Sequence, residues 1–549
     1  MSRTADSSSS ASVTAWLAAA LIALPFLQAL PIDFDRSGAL VLLLPALWAG
    51  RGALASAFAA IMRGPAWLKF SVPLAALAIV CSVALADQPA PAAVTAAAWV
   101  LLAAAGLIAG QLVRTDPRAS RRLLGGLALG AAGGTLVVWV LWWIGGRGGV
   151  PLYAHYRHLG LHALAGAIAS TALLVTFETS RRVRLGWFAV GAISWGGLLW
   201  SGGRAPMLAL GVALGLWIFL GARATRQKLF RAGFFQLLGG LALSLACWTP
   251  RPELGWWHAF DRTAAAVETG SASALTSTRT EFWAAAAHRA FVAPWLGHGP
   301  DAYRFLTPKL DGQQPHNFVL QLGLDVGALG ALPLLLILGG TLLAGWRRLR
   351  ATDGDDPTQF AWLALLSASV VAGLLDGVFY HLLAFLPAML ALGVALGFVT
   401  APASSPSRWR AVPLTGTAVA AGLLAFHTWI FYELALAPPP APTALPARCV
   451  RVFPSSTFGL WRWLDAWQPE NPSVSLEWAR WAQTHSANPP LFHVYASRVL
   501  LARGDRAGAE SELRSALAAA HWTTRPSIET MLRDLPAPPN PKSEIENRK

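Results

Sequence analysis

The residues of this 549-residue chain that could do chemistry are few and far apart in sequence: Arg147, Arg157, Arg204, Arg279, His316 and Asp376. Each arginine stands beside an apolar stretch, in "GGRGGVPLYAHYRHLGLH", in the short turn "SGGR" or in "TSTRTEFW". A planar guanidinium suits bidentate contact with phosphate oxygens, so several of them gathered at one mouth favour a polyanion. The plainer reading of each is an interface anchor, a headgroup contact or a local ion pair, and Arg147 fits the anchor best. His316 stands directly before the long apolar run in "HNFVLQLGLDVGALG". An imidazole at a helix start feels a dipole that disfavours its cation. It then stays neutral near pH 7, as a general base must, unless it is simply a cap. On one continuous helix His316, Leu320, Gly323, Gly327 and Gly330 would share a stripe, small enough for a second helix to approach closely. Asp376, in "LLDGVFYHLLAF", is an ionisable residue within an apolar run. It is a functional candidate on that ground, with an arginine of the mouth as its expected partner.

Other polar residues carry weaker signals. "DFD" places Asp33 and Asp35 at metal-binding spacing, but Arg36 follows and can neutralise them. His155, His158 and His162 flank Arg157 without metal-ligand spacing, and His298 in a Gly/Pro turn reads as structural. No metal site and no cofactor is expected. Cys81 and Cys247 lie in apolar runs and Cys449 stands alone, so the three cysteines make no disulfide framework.

The elements that must position these residues are membrane helices. Hydrophobic residues make up 55% of the chain, charged residues 13%, and the mean hydropathy is +0.47. Thirteen candidate spans follow: 12–31, 37–50 (extendable to 62), 66–86, 91–113, 123–146, 158–178, 184–200, 205–221, 230–248, 317–345, 360–380, 381–400 and 411–432. The second is interrupted by Arg51, and the turn at 380–381 is tight. The first is too long and poorly bounded for a cleaved signal and reads as an anchor. The expected fold is therefore all-α, a polytopic bundle of about 12–13 spans with a large loop and a helical tail.

The net charge of +15 could point to nucleic acid, but its distribution does not. Lys and Arg gather in alternate connections, "RTDPRASRR", "SRRVR", "ARATRQKLFR", "WRRLR" and "SRWR". Those loops are cytoplasmic by the positive-inside rule, which puts the N-terminus inside and the candidate arginines and His316 outside. The expected organisation is a cytoplasmic tail (1–11), membrane helices (12–248), an outer loop (249–316), further membrane helices (317–432) and an outer tail (433–549). In the loop, "TSTRTEFWAAAAHRAFVAPWLGHG" reads as a helix capped by Ser277 or Thr278 and stopped at Pro294. "LAPPPAPTALP" reads as a stiff linker. In "YASRVLLARGDRAGAESELRSALAAA", Gly504, Ala509 and Ala516 stand at tetratricopeptide-like spacing, though an ordinary helical hairpin fits equally.

Together these motifs resemble a known family. His316, Asn317, Gly327 and Gly330 stand at the fixed positions of a pattern found in bacterial O-antigen ligases. Arg279, Pro294, Gly297 and Gly299 resemble the family's loop helix and its Pro-x-x-Gly-x-Gly turn. "SGGRAPMLALGVAL" and "YRHLGLHALAGAIA" resemble its Ser-Arg-Gly and Arg-x-x-Gly segments, with Arg157 and Gly160 in place. The chain departs from the pattern in the extra glycine before Arg204, in His162 where Asn is common and in Asp325 where Glu is usual. The family joins O-antigen ligases, Wzy-type polymerases and protein O-oligosaccharyltransferases.

The resemblance implies a metal-independent membrane glycosyltransferase taking a glycan from undecaprenyl diphosphate on the periplasmic face of the bacterial inner membrane. It implies Arg157, Arg204 and Arg279 on the diphosphate and His316 activating the acceptor; Asn317, Asp376 and His162 are supporting candidates beside them. The acceptor stays open between lipid A-core, a growing polysaccharide and a protein, and the tail is a candidate surface for a protein partner. Outside this class, a transporter or flippase of lipid-linked glycans is the alternative. Membrane lipids are expected partners; nucleic acid is not.

Overall fold

A chain surrounded by hydrocarbon must satisfy its own backbone groups, and the apolar runs of this sequence do so as helices. The computed structural model describes residues 3–29, 33–145, 150, 152–153, 155–177, 180–220, 223–247, 255–268, 270, 279–306, 313–351, 356–401, 410–435, 457–520 and 524–535. Among them there is no strand. Arg147, Ser277, Thr278, Cys449 and the proline-rich linker lie outside the described residues.

The chain forms two compact units, one of residues 1–300 with 314–426 and one of residues 301–313 with 427–549. The first begins with α1 (Arg3–Ala23), α2 (Ser37–Ala49), α3 (Arg51–Met62), α4 (Ala66–Ala84), α5 (Pro89–Thr115), α6 (Pro117–Gly145), α7 (Tyr156–Thr176), α8 (Arg181–Ser201), α9 (Arg204–Leu220) and α10 (Arg223–Ala246). Two loop helices follow, α11 (Trp256–Glu268) and α12 (Arg279–Val292). Then come α13 (Phe318–Ala351), α14 (Pro357–Gly373), α15 (Leu382–Val399) and α16 (Ala411–Ala435).

Every expected span overlaps a helix, although the helix within 360–380 ends at Gly373, and not all are equally apolar. Eight helices are long and apolar enough to cross a membrane, and α2 with α3, bent by 85° at Gly50 and Arg51, counts as a ninth at most. The thirteen spans expected from hydropathy include α1, α8, α9 and α14 as well. The apolar part of α1 together with α9 and α14 is short, and α8 begins on the arginines of "SRRVR". At 1.5 Å per residue a 17-residue helix rises about 25 Å, against about 30 Å of hydrocarbon. These helices are packed within the bundle: α8 lies on α7 and α10, and α14 on α7 and α9.

Two packing features set the site. Helices α5 and α15 meet at Gly106, Gly110, Gly393 and Gly397, where a Cβ on any of the four would strike the opposite backbone. In a membrane such small residues allow the close contact that drives helix association. This fixes the start of α15, and the turn before it, beside α5. Helix α13 runs along α4, Ile337 packing with Leu68.

Helix α13 is broken rather than continuous. Gly327 has φ 59° and ψ −172°, a left-handed conformation that an L side chain rarely adopts. The expected glycine stripe therefore does not form. Gly323 faces open space, and the close approach at Gly327 is made by the backbone of Trp295 and Leu296 in the loop turn, not by a helix. The turn also supplies the hydrogen bonds that the break removes. Ala328 N and Leu329 N donate to the carbonyls of Pro294 and Trp295 (2.7 and 3.0 Å), while His298 N and Gly299 N donate to those of Leu324 and Asp325 (2.8 and 2.9 Å). Four backbone bonds thus clamp the "PWLGHG" turn into α13, and Ser82 Oγ of α4 donates to the Asp325 carbonyl at 2.7 Å.

The second unit contains α17 (Thr457–Trp467), α18 (Pro472–His485), α19 (Pro489–Ala502), α20 (Arg506–Ala519) and α21 (Arg525–Arg533), each packed on its neighbours in sequence. Gly504 turns between α19 and α20 with φ 79°, and Ala509 and Ala516 are buried.

Candidate functional site

The break in α13 delivers its first segment, and the residues just before it, to one end of the bundle. His316 lies there, two residues ahead of the helix rather than on it, with φ 54°. A left-handed non-glycine residue costs ~1–3 kcal/mol and persists only where its surroundings hold it. Asn317 caps the helix, its Oδ1 accepting from Val319 N and Leu320 N at 3.0 and 3.1 Å.

Asp376 is the centre of the site. Helix α14 ends at Gly373, so Asp376 lies in the turn before α15 rather than within a span, and it is 3% exposed. His316 Nδ1 reaches its Oδ1 at 3.1 Å, Gly377 N donates to the same oxygen at 2.8 Å, Arg157 Nη1 stands 3.8 Å from Oδ1 and Arg279 Nη2 3.7 Å from Oδ2. Arg157 comes from the first turn of α7, where His155 caps the helix and accepts from Arg157 N and Nε at 3.1 and 3.2 Å. Arg279 opens α12, whose Phe282 ring lies 6.2 Å from that of His316.

Arg204 opens α9 and is half-buried, near enough for its charge to bear on Arg279. The extra glycine before it has a local cause. Gly202 ends α8 in a left-handed conformation (φ 62°), with the Gly255 backbone packed against it. Gly160, one turn along α7 from Arg157, admits Ser201 Oγ and Pro206 where a Cβ would stand 2.7 and 3.2 Å from them. The Arg-x-x-Gly segment and the "SGGR" turn are thereby pressed together.

Three guanidiniums and one carboxylate sum to +2 over these four groups. Burial alone would raise the Asp376 pKa; the His316 hydrogen bond and the charges of Arg157 and Arg279 reverse this and hold it well below the usual carboxylate range. An ionised carboxylate only accepts, so His316 Nδ1 carries the proton and Nε2 is left as a lone-pair acceptor. The His316 pKa is lowered, first by burial and then by the Arg157 and Arg279 charges, against the raising effect of Asp376. The direction is the one expected from the sequence, with burial as its largest cause. The Arg279 pKa is also lowered, chiefly by burial. His155 is pushed down to about 4, by burial first and then by Arg157.

His162 does not join this cluster; it is fully buried within the bundle with Nδ1 3.0 Å from Tyr153 Oη. Asp33 and Asp35 turn to separate partners. Arg36 Nη1 pairs with Asp33 at 3.2 Å, and Asp35 takes His381 Nδ1 and Leu382 N, both at 3.0 Å. His298 is held between Asp87 Oδ2 and the Arg289 carbonyl, both at 3.0 Å, which is the structural place expected of it.

Beneath Asp376 an apolar cleft runs between α4, α5, α13 and α15, with Trp99, Phe318, Leu335 and Met389 among its walls. Gln314, Asp376, Gly377 and Tyr380 form its polar end. Nothing in the sequence marked this cleft, because its walls come from four separate apolar helices.

An all-α polytopic membrane protein with arginines, a histidine and a buried carboxylate gathered at one end of its bundle is what the fold and the site define. Residues 189–335 match the family profile of O-antigen ligases, so over that segment the chain carries this family's sequence pattern and is, at that level, similar to membrane glycosyltransferases. The matched segment runs from α8 past the break in α13 and contains Arg204, Arg279 and His316, while Arg157 and Asp376 lie outside it. No curated protein matches the sequence.

Proposed function

We propose that the protein is an inner-membrane glycosyltransferase that moves a glycan from undecaprenyl diphosphate to an acceptor hydroxyl on the periplasmic face. The observation that carries this reading is the convergence of Arg157, Arg279 and His316 on one buried carboxylate, with Arg204 close by. A diphosphate offers the negative charge that the arginine excess favours, and the cleft below Asp376 offers an apolar path for a polyprenyl chain.

In the proposed reaction the acceptor oxygen attacks the anomeric carbon. His316 Nε2 takes its proton, the bond from that carbon to the phosphate oxygen breaks, and the electron pair leaves with the diphosphate. Arg157, Arg204 and Arg279 stabilise the charge that grows there. Asp376 holds His316 in the tautomer with Nε2 unprotonated. The positive charge in this scheme is supplied by the arginines, so it is metal-independent.

Lipid A-core, a growing polysaccharide and a protein hydroxyl all present the same nucleophile to His316. Mass spectrometry of lipopolysaccharide and periplasmic proteins, from cells with and without the gene, shows which molecule loses its glycan. In the same cells His316→Ala is expected to abolish transfer while the protein accumulates normally; transfer at the wild-type rate would falsify the assignment. Purified protein that moves lipid-linked glycan across liposomes without forming a glycosidic bond would make it a transporter instead.

A further inference from the structure

Asp35, His381 and Gln314 form a second hydrogen-bonded chain beside the His316–Asp376 pair, and the reaction above does not use it. Asp35 Oδ2 accepts from His381 Nδ1 at 3.0 Å, and Gln314 Nε2 donates to His381 Nε2 at 2.9 Å. The His381 ring also lies 4.1 Å from that of His158, the neighbour of Arg157 on α7. Asp35 belongs to the connection before α2, His381 to the one before α15 and Gln314 to the one before α13. One imidazole therefore ties three connections to α7.

The chain and the site share two backbone segments. Gln314 is two residues from His316, and His381 is five from Asp376. Gln314 is 2% exposed and packs over Gly377, where a Cβ would strike its amide. Arg36 binds the same turn from below, Nη2 donating to Tyr380 Oη at 3.3 Å and Nε to Thr95 Oγ1 at 3.1 Å. Consecutive residues of the connection before α2, Asp35 and Arg36, thus grip consecutive residues of the connection before α15, Tyr380 and His381.

His316 is left-handed and needs holding. On its C-terminal side Asn317 is fixed by its cap to α13. On its N-terminal side Pro315 offers no N–H, so Gln314 is the next side chain that can act as a latch. We propose that Asp35, His381 and Gln314 are positioning residues, a hydrogen-bonded strut that holds residues 314–317, and with them His316, against Asp376 during the glycosyl transfer proposed above. They touch neither donor nor acceptor. They act by keeping one catalytic geometry, where a misplacement of about 1 Å can cost on the order of 100-fold in rate.

The test uses the full chain in liposomes, with Gln314→Ala and Asp35→Asn beside the wild type. Carbethoxylation of each histidine is followed by peptide mass spectrometry, and transfer from a synthetic undecaprenyl-diphosphate oligosaccharide to lipid A-core is followed in parallel. Both variants are expected to modify His316 severalfold faster than wild type, with the rate at His298 and the unfolding temperature unchanged. Turnover should fall about 10-fold to 100-fold while the donor KM stays within about twofold. His316 reactivity unchanged in both variants, or a turnover loss matched by a lower unfolding temperature, overturns the strut. Wild-type protein that forms no product removes lipid A-core as acceptor and leaves the modification rates to decide the strut. If Gln314→Ala does not fold, the near-isosteric Asp35→Asn decides the question.

Discussion

At Asp376 one carboxylate hydrogen-bonds an imidazole and pairs with two cations, and its influence on His316 has a definite sign. Its negative charge and hydrogen bond raise the imidazole pKa, while burial and two arginines lower it further than Asp376 can restore. In wild-type enzyme the acid limb of kcat should therefore lie below the ordinary imidazole value of about 6.5. Activity is full above that limb and is lost as pH falls through it and Nε2 becomes protonated. In Asp376→Asn the raising influence is gone, so the limb should move to still lower pH even as kcat falls on the order of 100-fold or more through loss of orientation. A limb that moves upward would show that the carboxylate does not act on His316. Arg279 calls for a different expectation, since a guanidinium that stabilises departing diphosphate works in the transition state. Arg279→Ala should lower kcat on the order of 10²–10³-fold, equivalent to ~2.7–4 kcal/mol. Steady-state rates at saturating donor check this; a change in donor KM alone would mean that Arg279 binds without stabilising.

The elements show why residue types were readable from sequence and their arrangement only partly so. Arg157, Arg279 and His316 stood out because charge beside apolar runs is costly, and the structure brings them together at Asp376. Gly327 stood out too, but helical periodicity assigned it to a stripe, because the pattern assumes continuous helix. The break depends on "PWLGHG", some thirty residues upstream, replacing the lost hydrogen bonds, and no local window contains both partners. Gln314 and His381 gave no signal for the same reason: each is ordinary until Asp35 is beside it. Helix α11 is legible locally, since "WWHAFDRTAAAVE" has an amphipathic helical spacing. The clamp makes its own prediction. Gly327→Ala places a Cβ against the Trp295 and Leu296 backbone at a positive φ with ψ −172°, which alone costs ~1–3 kcal/mol. The turn can then no longer seat, Arg279 and His316 shift together, and both kcat and KM should worsen. Gly323→Ala, in open space, should change neither. Parallel kinetics on the two alanine variants separate a backbone clamp from a generic need for glycine.

Across the whole bundle charge is sorted by end. The cluster around Asp376 and the Asp35–His381–Gln314 chain beside it draw on the connections before α2, α7, α9, α12, α13 and α15. The opposite ends of α5, α13 and α15 hold Arg114 and Arg348 against the carbonyls of Phe398, Thr400 and Ala401. Sites carried on alternate connections must share one side of a membrane, and the side richer in Lys and Arg is retained in the cytoplasm. The orientation is testable without any substrate. In a background with Cys81, Cys247 and Cys449 replaced by serine, Gln88→Cys marks the site end and Asp116→Cys the basic end, separated by the length of α5. An impermeant thiol reagent added to intact spheroplasts should label Gln88→Cys and leave Asp116→Cys unlabelled until the membrane is opened. The reverse pattern would put the arginines in the cytoplasm, where a donor displayed on the periplasmic leaflet could not reach them, and the proposed transfer would fail however well the pocket suits a diphosphate.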